Sequence, residues 1–490
     1  MTRSRRVADV VADVLVASGA TRLFTAGGAS SLGPFDASAR ARGLALVETE
    51  APAAAAVMAA VTGDLGPATG VVLLSPADAP AAVVGVRYAA TARASLLVIS
   101  AGPLDSSVLT PHLKAALQPT SESAASALMS ALDLTIEAPR GPVHLALSPH
   151  VAAAPATGVG ERPAVVAPGV PPAPAVLDEA AALLTAAARP LLVVGLGCRS
   201  GQAGPWLRAL AEALPMPVLV TLRGKGVLPD PHPLVLGLLD EGGTVLARAD
   251  LIVTAGLDPL EETAISWPAG LPRLALGGPT DGGAGRAGVL SVSGDLALII
   301  EELAPRVRGQ ARADWDVAEL DRLKRARRVA TSAGQLSPSR AVDMVRALTP
   351  AGTVATVDEG PGAAVVTARW QAVGPNELLV GAGDSGQSFA PAAAVAASLA
   401  RAGGHAVAFS DAAGLAAAPD AIATAGRHQL PVVLIDLGVG GAETPPTEAA
   451  VPDVTAGDEE QLTRALHRAL AGRGPTVIRV RARPARGSPV

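Results

Sequence analysis

Short apolar runs alternate with alanine-rich stretches of helical period along nearly the whole chain. Within residues 1–152 the runs "TRLFTA", "GLALVE", "GVVLLS", "SLLVIS" and "GPVHLAL" predict strands. The stretches "RVADVVADVLVASG", "APAAAAVMAAVTG" and "APAAVVGVRYAATARA" predict the helices between them. Apolar runs without strict alternation suit a parallel sheet covered on both faces. Strand and helix in turn imply right-handed βαβ units and a doubly wound sheet. Residues 153–176 are dense in Pro, Ala and Gly without periodicity and read as a linker. The pattern resumes over 177–305 with "RPLLVVGLG", "MPVLVTL" and "ADLIVTAG". A charged linker helix is expected within 306–335, around "ADWDVAELDRLKRARRVA". In 336–490 the strands are "GTVATVDEG", "ELLVGAG", "HAVAFSD", "PVVLIDLG" and "PTVIRVRA". The fold class is therefore α/β, with three successive doubly wound parallel-sheet domains. Residues 112–134 read as a pair of amphipathic surface helices.

Composition narrows the function classes. The chain has 490 residues, a formal net charge of -5 and 49% hydrophobic residues, as a mildly acidic globular protein would. No basic stretch is present to follow a phosphate backbone, so nucleic acid is not an expected partner. The mean hydropathy of +0.38 comes mostly from alanine. Every apolar run is interrupted well short of the ~20 residues a membrane span needs, so no membrane partner is expected. The N-terminus reads as an ordinary amphipathic helix carrying Asp9 and Asp13, not as a signal peptide. A single cysteine, Cys198, excludes a disulfide within the chain and fits a cytoplasmic protein.

Three stretches carry candidate chemistry. In "LFTAGGASSLGPFDASARARGLALVETEAPAAAAVMA" a Gly-rich turn precedes a helix, and a second strand ends at Glu50 before a helix of small residues. Glu48 would share the face of Glu50 if the strand continued, but the helix start favours Glu50. The plainer role for Glu50 is to favour the positive end of that helix. The second stretch is "RPLLVVGLGCRSGQAGPWLRALAEALPMPVLVTLRGKGVLPDPHPLVLGLL". The third includes "VDEGPGAAVVTARW", with Asp358 and Glu359, and the turn "GAGDSGQSFAPAAAVAASLA". Backbone N–H groups at such a turn can hold phosphate oxygens.

Together these stretches resemble the thiamine-diphosphate-dependent 2-oxo acid enzymes, including acetolactate synthase and benzoylformate decarboxylase. The resemblance implies pyrimidine-binding, central and diphosphate-binding domains in that order. It makes Glu50 the carboxyl group that draws the cofactor's aminopyrimidine into its imino form, the one catalytic residue assigned. Cofactor-binding positions would be Glu50, Gly383, Ser385, Gly386, Asp411 and Ala412, with Asp411 and Asp436 as Mg²⁺ ligands. FAD, which some relatives bind in the central domain, is not expected. The implied activity is that of a lyase or carboligase on a small 2-oxo acid, in a homodimer or homotetramer, because the cofactor lies between the first domain of one chain and the third of another.

The chain departs from the family pattern at the metal motif. Where Gly-Asp-Gly is usual, Ser410, Asp411 and Ala412 stand. The usual asparagine is missing after the next strand, since the chain's single asparagine, Asn376, lies upstream of Asp411. Asp436 would replace it at the cost of a second negative charge beside a diphosphate. The alternative is a catalytically degenerate relative that serves as a binding or regulatory subunit without the cofactor, in a hetero-oligomer with an active homologue.

Overall fold

The computed structural model describes residues 5–27, 33–104, 106–156, 171–199, 203–277, 288–307, 309, 313–329, 336–382, 389–401, 404–439 and 451–481. These form three six-stranded sheets. The first contains β1 (Arg22–Ala26), β2 (Ala45–Thr49), β3 (Gly70–Leu74), β4 (Leu96–Ser100), β5 (Ala115–Leu117) and β6 (Pro142–Ala146), in the order β2-β1-β3-β4-β6-β5. The second contains β7 (Pro190–Val194), β8 (Val218–Val220), β9 (Val235–Leu238), β10 (Leu251–Ala255), β11 (Arg273–Leu276) and β12 (Val289–Val292), ordered β12-β11-β10-β7-β8-β9. The third contains β13 (Val354–Val357), β14 (Leu378–Val380), β15 (Ala406–Phe409), β16 (Val432–Asp436), β17 (Asp453–Ala456) and β18 (Thr476–Val480), ordered β14-β13-β15-β16-β18-β17.

Pairings such as β1 with β2, β7 with β10 and β15 with β16 are parallel. The central strands β3, β4, β6, β7, β10 and β16 are buried at every position, as sheets covered on both faces require. One sequence expectation needs correction. Residues 112–134 are not two surface helices: a short 3₁₀ turn, Thr110–His112, leads into β5, and only Ala124–Ile136 is helical. β5 lies at the sheet edge, where three residues, two half-buried and one exposed, suffice for pairing and leave no long apolar run to read.

The chain forms two compact units. One joins the first and third sheets, from residues 1–164, 335–366 and 379–490. The other holds the second sheet and includes 367–378 as well as 165–334. In the first unit the helices Pro52–Leu65 and Ala390–Ala400 are apolar around most of their circumference and buried, as such helices must be. A Cβ at Gly85 would collide with the Ala56 backbone, so that glycine lets helix Ala79–Ala92 approach helix Pro52–Leu65 closely. The Tyr88 and Phe389 rings stack obliquely with centroids 4.6 Å apart, and the Tyr88 hydroxyl donates to Asp64 at 2.6 Å. The small residues after Glu50 thus serve packing within the chain.

In the second unit Lys225 and Asp230 form a buried ion pair at 2.8 Å. Asp230 also accepts the Ala372 N–H at 2.8 Å, which ties residues 367–378 to this unit. Asn376 lies in the same segment, its side-chain oxygen accepting from Arg199.

Candidate functional site

The order of the third sheet fixes where a ligand would sit. From β13 the chain moves to β14 on one side, whereas β15 and β16 lie on the other. The loops after β13 and β15 therefore part at the carboxyl ends of these strands, and such switch points are where open α/β sheets bind ligands. Asp358 follows β13, Ser410 and Asp411 follow β15, and Asp436 ends β16. These four residues line one crevice together with Glu359 and Val439.

Asp358 fills the position a ligand anion would take. Its Oδ1 accepts the backbone N–H groups of Phe389 at 2.6 Å and Ala390 at 2.7 Å, at the start of helix Ala390–Ala400. Its Oδ2 accepts the Ser410 hydroxyl. A carboxylate at a helix N-terminus satisfies donors and dipole as a bound phosphate would. Ser410 therefore does more than replace a glycine: its hydroxyl fastens the internal anion. A Cβ at Gly414 would meet both Ser410 Oγ and Asp358 Oδ2, so the loop has closed tightly on this pair.

Asp411 caps the short helix Ala412–Ala416, accepting the Gly414 N–H at 2.7 Å, and Ala412 is buried as the first residue of that helix. Asp436 is 2% exposed. Its carboxylate accepts the Gly438 N–H at 2.8 Å and pairs with Arg481 at 3.2 Å and Arg479 at 3.7 Å. The two arginines alternate along "VIRVRA", with Arg479 also held by Asp453 at 2.9 Å. Gly383, Ser385 and Gly386 lie outside the described residues.

Glu50 belongs to the first sheet's part of the same unit. It is exposed, one residue past β2, and helix Pro52–Leu65 begins two residues later with Ala51 as its N-cap. Across from it stands helix Pro419–Arg427, whose Arg427 donates to the Glu48 carbonyl at 2.7 Å. Burial first, and then the Glu50 carboxylate, hold Asp420 above its ordinary value. Glu48 is paired instead with Arg40 at 2.7 Å.

A magnesium–diphosphate group would need room, free N–H donors and balanced charge in this crevice. Asp358, Glu359, Asp411 and Asp436 supply four carboxylates to the crevice, and Arg479 and Arg481 both pair with Asp436. Among the described residues no three His, Cys, Asp or Glu side chains gather as a metal site. The crevice offers about 20 Å³ to a solvent-sized sphere. That is room for one water, which needs roughly 10–15 Å³ by this measure. The helix N–H groups that would hold phosphate oxygens already hold Asp358. The described residues of the crevice do not fit the group.

The strand ends of the second sheet are likewise filled by protein. The half-buried Glu261 carboxylate accepts the Leu196 N–H at 2.9 Å, the Asp258 N–H at 3.0 Å and the Thr221 hydroxyl at 2.6 Å. Burial pushes its pKa up. Burial also pushes the neighbouring Cys198 thiol up to about 12, leaving a packing group and not a nucleophile.

Comparison with known proteins agrees with this architecture. Residues 5–125 match the thiamine pyrophosphate enzyme N-terminal TPP-binding domain, and 177–276 match the thiamine pyrophosphate enzyme central domain. The acetolactate synthase isozyme 1 large subunit of Escherichia coli (strain K12) is 28% identical over 271 residues, covering 53% of this chain and 48% of that protein. The probable 2-ketoarginine decarboxylase of Pseudomonas aeruginosa is 38% identical over 130 residues, 25% of this chain and 22% of that protein. The chain thus spans about half, or less, of the length of the curated relatives it matches. In fold the likeness extends further. A putative thiamin diphosphate-dependent enzyme from Mycobacterium smegmatis superposes with a TM-score of 0.79 over 97% of this chain and 99% of that one, at 20% identity. The 4-hydroxybenzoylformate decarboxylase of Rhodococcus jostii RHA1 gives the same figures. By its N-terminal and central domains the chain belongs with the thiamine pyrophosphate enzymes, and by its three parallel sheets it shares the fold of the solved thiamine diphosphate-dependent proteins.

Proposed function

We propose that this protein works in thiamine-diphosphate-dependent lyase or carboligase chemistry on a small 2-oxo acid, as the subunit that supplies Glu50 to a composite site. The diphosphate seat of that site would come from a partner chain with an open crevice. In this reading the protein alone does not turn over a 2-oxo acid. The observation that carries it is an asymmetry between two half-sites. Glu50 stands exposed at a strand-to-helix junction, whereas Asp358 already occupies the helix N-terminus in the third sheet's crevice.

The chemistry asked of Glu50 suits its place. A carboxyl group at an exposed strand end can be covered by a second chain, and exclusion of water then lets it share a proton with a weakly basic ring nitrogen. Bound between the two chains, thiamine diphosphate would supply the electron sink for decarboxylation. This chain's part is to orient the pyrimidine ring and to hold one proton at Glu50. Small aliphatic 2-oxo acids remain the default substrates, since aromatic residues make up only 2% of the chain and offer little to stack on an aryl group.

The test begins with co-purification from the source cell and identification of a partner that carries Gly-Asp-Gly and a following asparagine. Turnover of pyruvate and 2-oxobutanoate by the complex is then compared for the native chain and Glu50→Gln. The expected loss for Glu50→Gln is about 100-fold or more, as for removal of a proton-transfer group. Turnover by this chain alone, or a complex indifferent to Glu50→Gln, would contradict the proposal.

A further inference from the structure

We infer a second binding site on the third sheet's domain, away from the strand-end crevice, built to take an organic phosphate. Helix Glu459–Ala471 packs beside the edge strand β17, and the two leave a groove of about 540 Å³. Its floor is apolar, with Val454 from the strand, Ala469 from the helix and Pro475 from the loop that follows. Three guanidinium groups border it. Arg464 and Arg468 are one helical turn apart and so share a face. Arg473 comes from the next loop, where Gly474 adopts φ +123°, a conformation that suits glycine.

What distinguishes this groove from an ordinary arginine-rich surface is that the neighbouring carboxylates are committed elsewhere. Asp453 holds Arg479 at 2.9 Å, Glu459 holds Arg340 at 2.9 Å, and Asp458 caps the helix through the Gln461 N–H at 2.8 Å. Arg464 has Glu460 at 3.8 Å, with both side chains largely exposed, a pairing that water and salt weaken. Among the described residues no carboxylate forms an ion pair with Arg468 or Arg473. Positive charge therefore concentrates over an apolar floor. A guanidinium fork binds phosphate through paired N–H donors, while the floor takes a compact organic body. The matching ligand is a phosphate or diphosphate ester, such as a nucleotide. A bare halide lacks the geometry, and an uncharged nucleoside lacks the charge.

The probes are ADP, inorganic diphosphate, adenosine and sodium chloride, each titrated calorimetrically into the full chain at matched low ionic strength. Saturable binding of ADP and diphosphate is expected, without binding of adenosine or chloride. The double variant Arg468→Gln/Arg473→Gln should weaken ADP binding roughly tenfold or more, since each lost contact is a charge-assisted hydrogen bond. Its thermal midpoint without ligand should match that of the native chain, because both side chains are exposed. Failure of ADP to bind, equal heats from chloride, or undiminished ADP binding to a folded double variant would each overturn the inference. None of these outcomes bears on Glu50, so this site and the composite-site reading stand or fall separately.

Discussion

Replacing Asp358 by alanine should open the closed crevice and loosen the helix it caps. The native carboxylate accepts two backbone N–H bonds and one hydroxyl bond. A hydrogen bond to a charged group contributes about 1.5–3 kcal/mol, and loss of an N-cap side chain about 0.5–2 kcal/mol. Asp358 is half-buried, so water recovers part of the loss; a net local cost of about 2 kcal/mol follows. That corresponds to roughly 30-fold faster amide exchange at the start of helix Ala390–Ala400, through local opening. Hydrogen exchange read by mass spectrometry on a peptide spanning Phe389 and Ala390 is the suitable assay, because a chain of several domains need not unfold in one step. Asp358→Asn keeps an acceptor oxygen and should lose about 1 kcal/mol. Inorganic phosphate should slow exchange again in Asp358→Ala alone, by occupying the freed donors. Unchanged exchange in Asp358→Ala, or an equal phosphate effect in the native chain, would refute the reasoning.

Three further outcomes follow from buried groups. His144 accepts or donates a hydrogen bond with Ser100 at 2.7 Å, and burial pulls its pKa from 6.5 down to about 4. The unfolded chain therefore binds the proton first, and stability falls as pH drops from about 6.5 towards 4, by about 3 kcal/mol in all. Urea unfolding at pH 7 and pH 5 should show this slope for the first unit, and His144→Gln should flatten it. Cys198, its thiol donating to the Ala255 carbonyl at 3.2 Å, should resist iodoacetamide at pH 8 until urea unfolds the second unit; rapid labelling of folded protein would count against its burial. Asp436→Asn, which places an asparagine after the second strand of the metal motif, should destabilise the third domain by roughly 1–3 kcal/mol, since it removes the carboxylate facing Arg479 and Arg481. It should not create Mg²⁺-dependent thiamine diphosphate binding while Asp358 stays in place, and calorimetry checks this directly.

Much of the fold is legible in the sequence because buried parallel strands must be apolar on both faces. The runs "GVVLLS", "SLLVIS", "RPLLVVGLG" and "PVVLIDLG" contain β3, β4, β7 and β16. The strands that escape are mostly the outer ones. β5, β9, β12 and β17 lie at sheet edges, with β11 beside β12, and each has only three or four residues. One open edge and partial burial relieve them of the apolar run that marks the others. The segment 367–378 escapes for another reason: Asp230, distant in sequence and itself paired with Lys225, binds it to the second unit.

The site is legible only in outline. Residue types foretell that Ser410, Ala412 and Asp436 break the family's metal motif. They do not foretell that Asp358 turns onto the helix N-terminus, or that Ser410 holds it there. Nor does local sequence join Asp436 to Arg479 and Arg481, which pair with it across neighbouring strands. The position of Glu50 between a strand and a helix is readable because a strand end, a helix start and a run of small residues coincide within a few positions.

The described crevice, with Asp358 on the helix N–H groups, leaves no seat for a magnesium–diphosphate group. Isothermal titration with thiamine diphosphate, with and without Mg²⁺, tests it most directly, using Arg468→Gln/Arg473→Gln so that the arginine groove takes no part. No metal-dependent binding is expected in either titration. Metal-dependent binding at micromolar concentration would contradict it, and would return Asp411 to the role of a metal ligand.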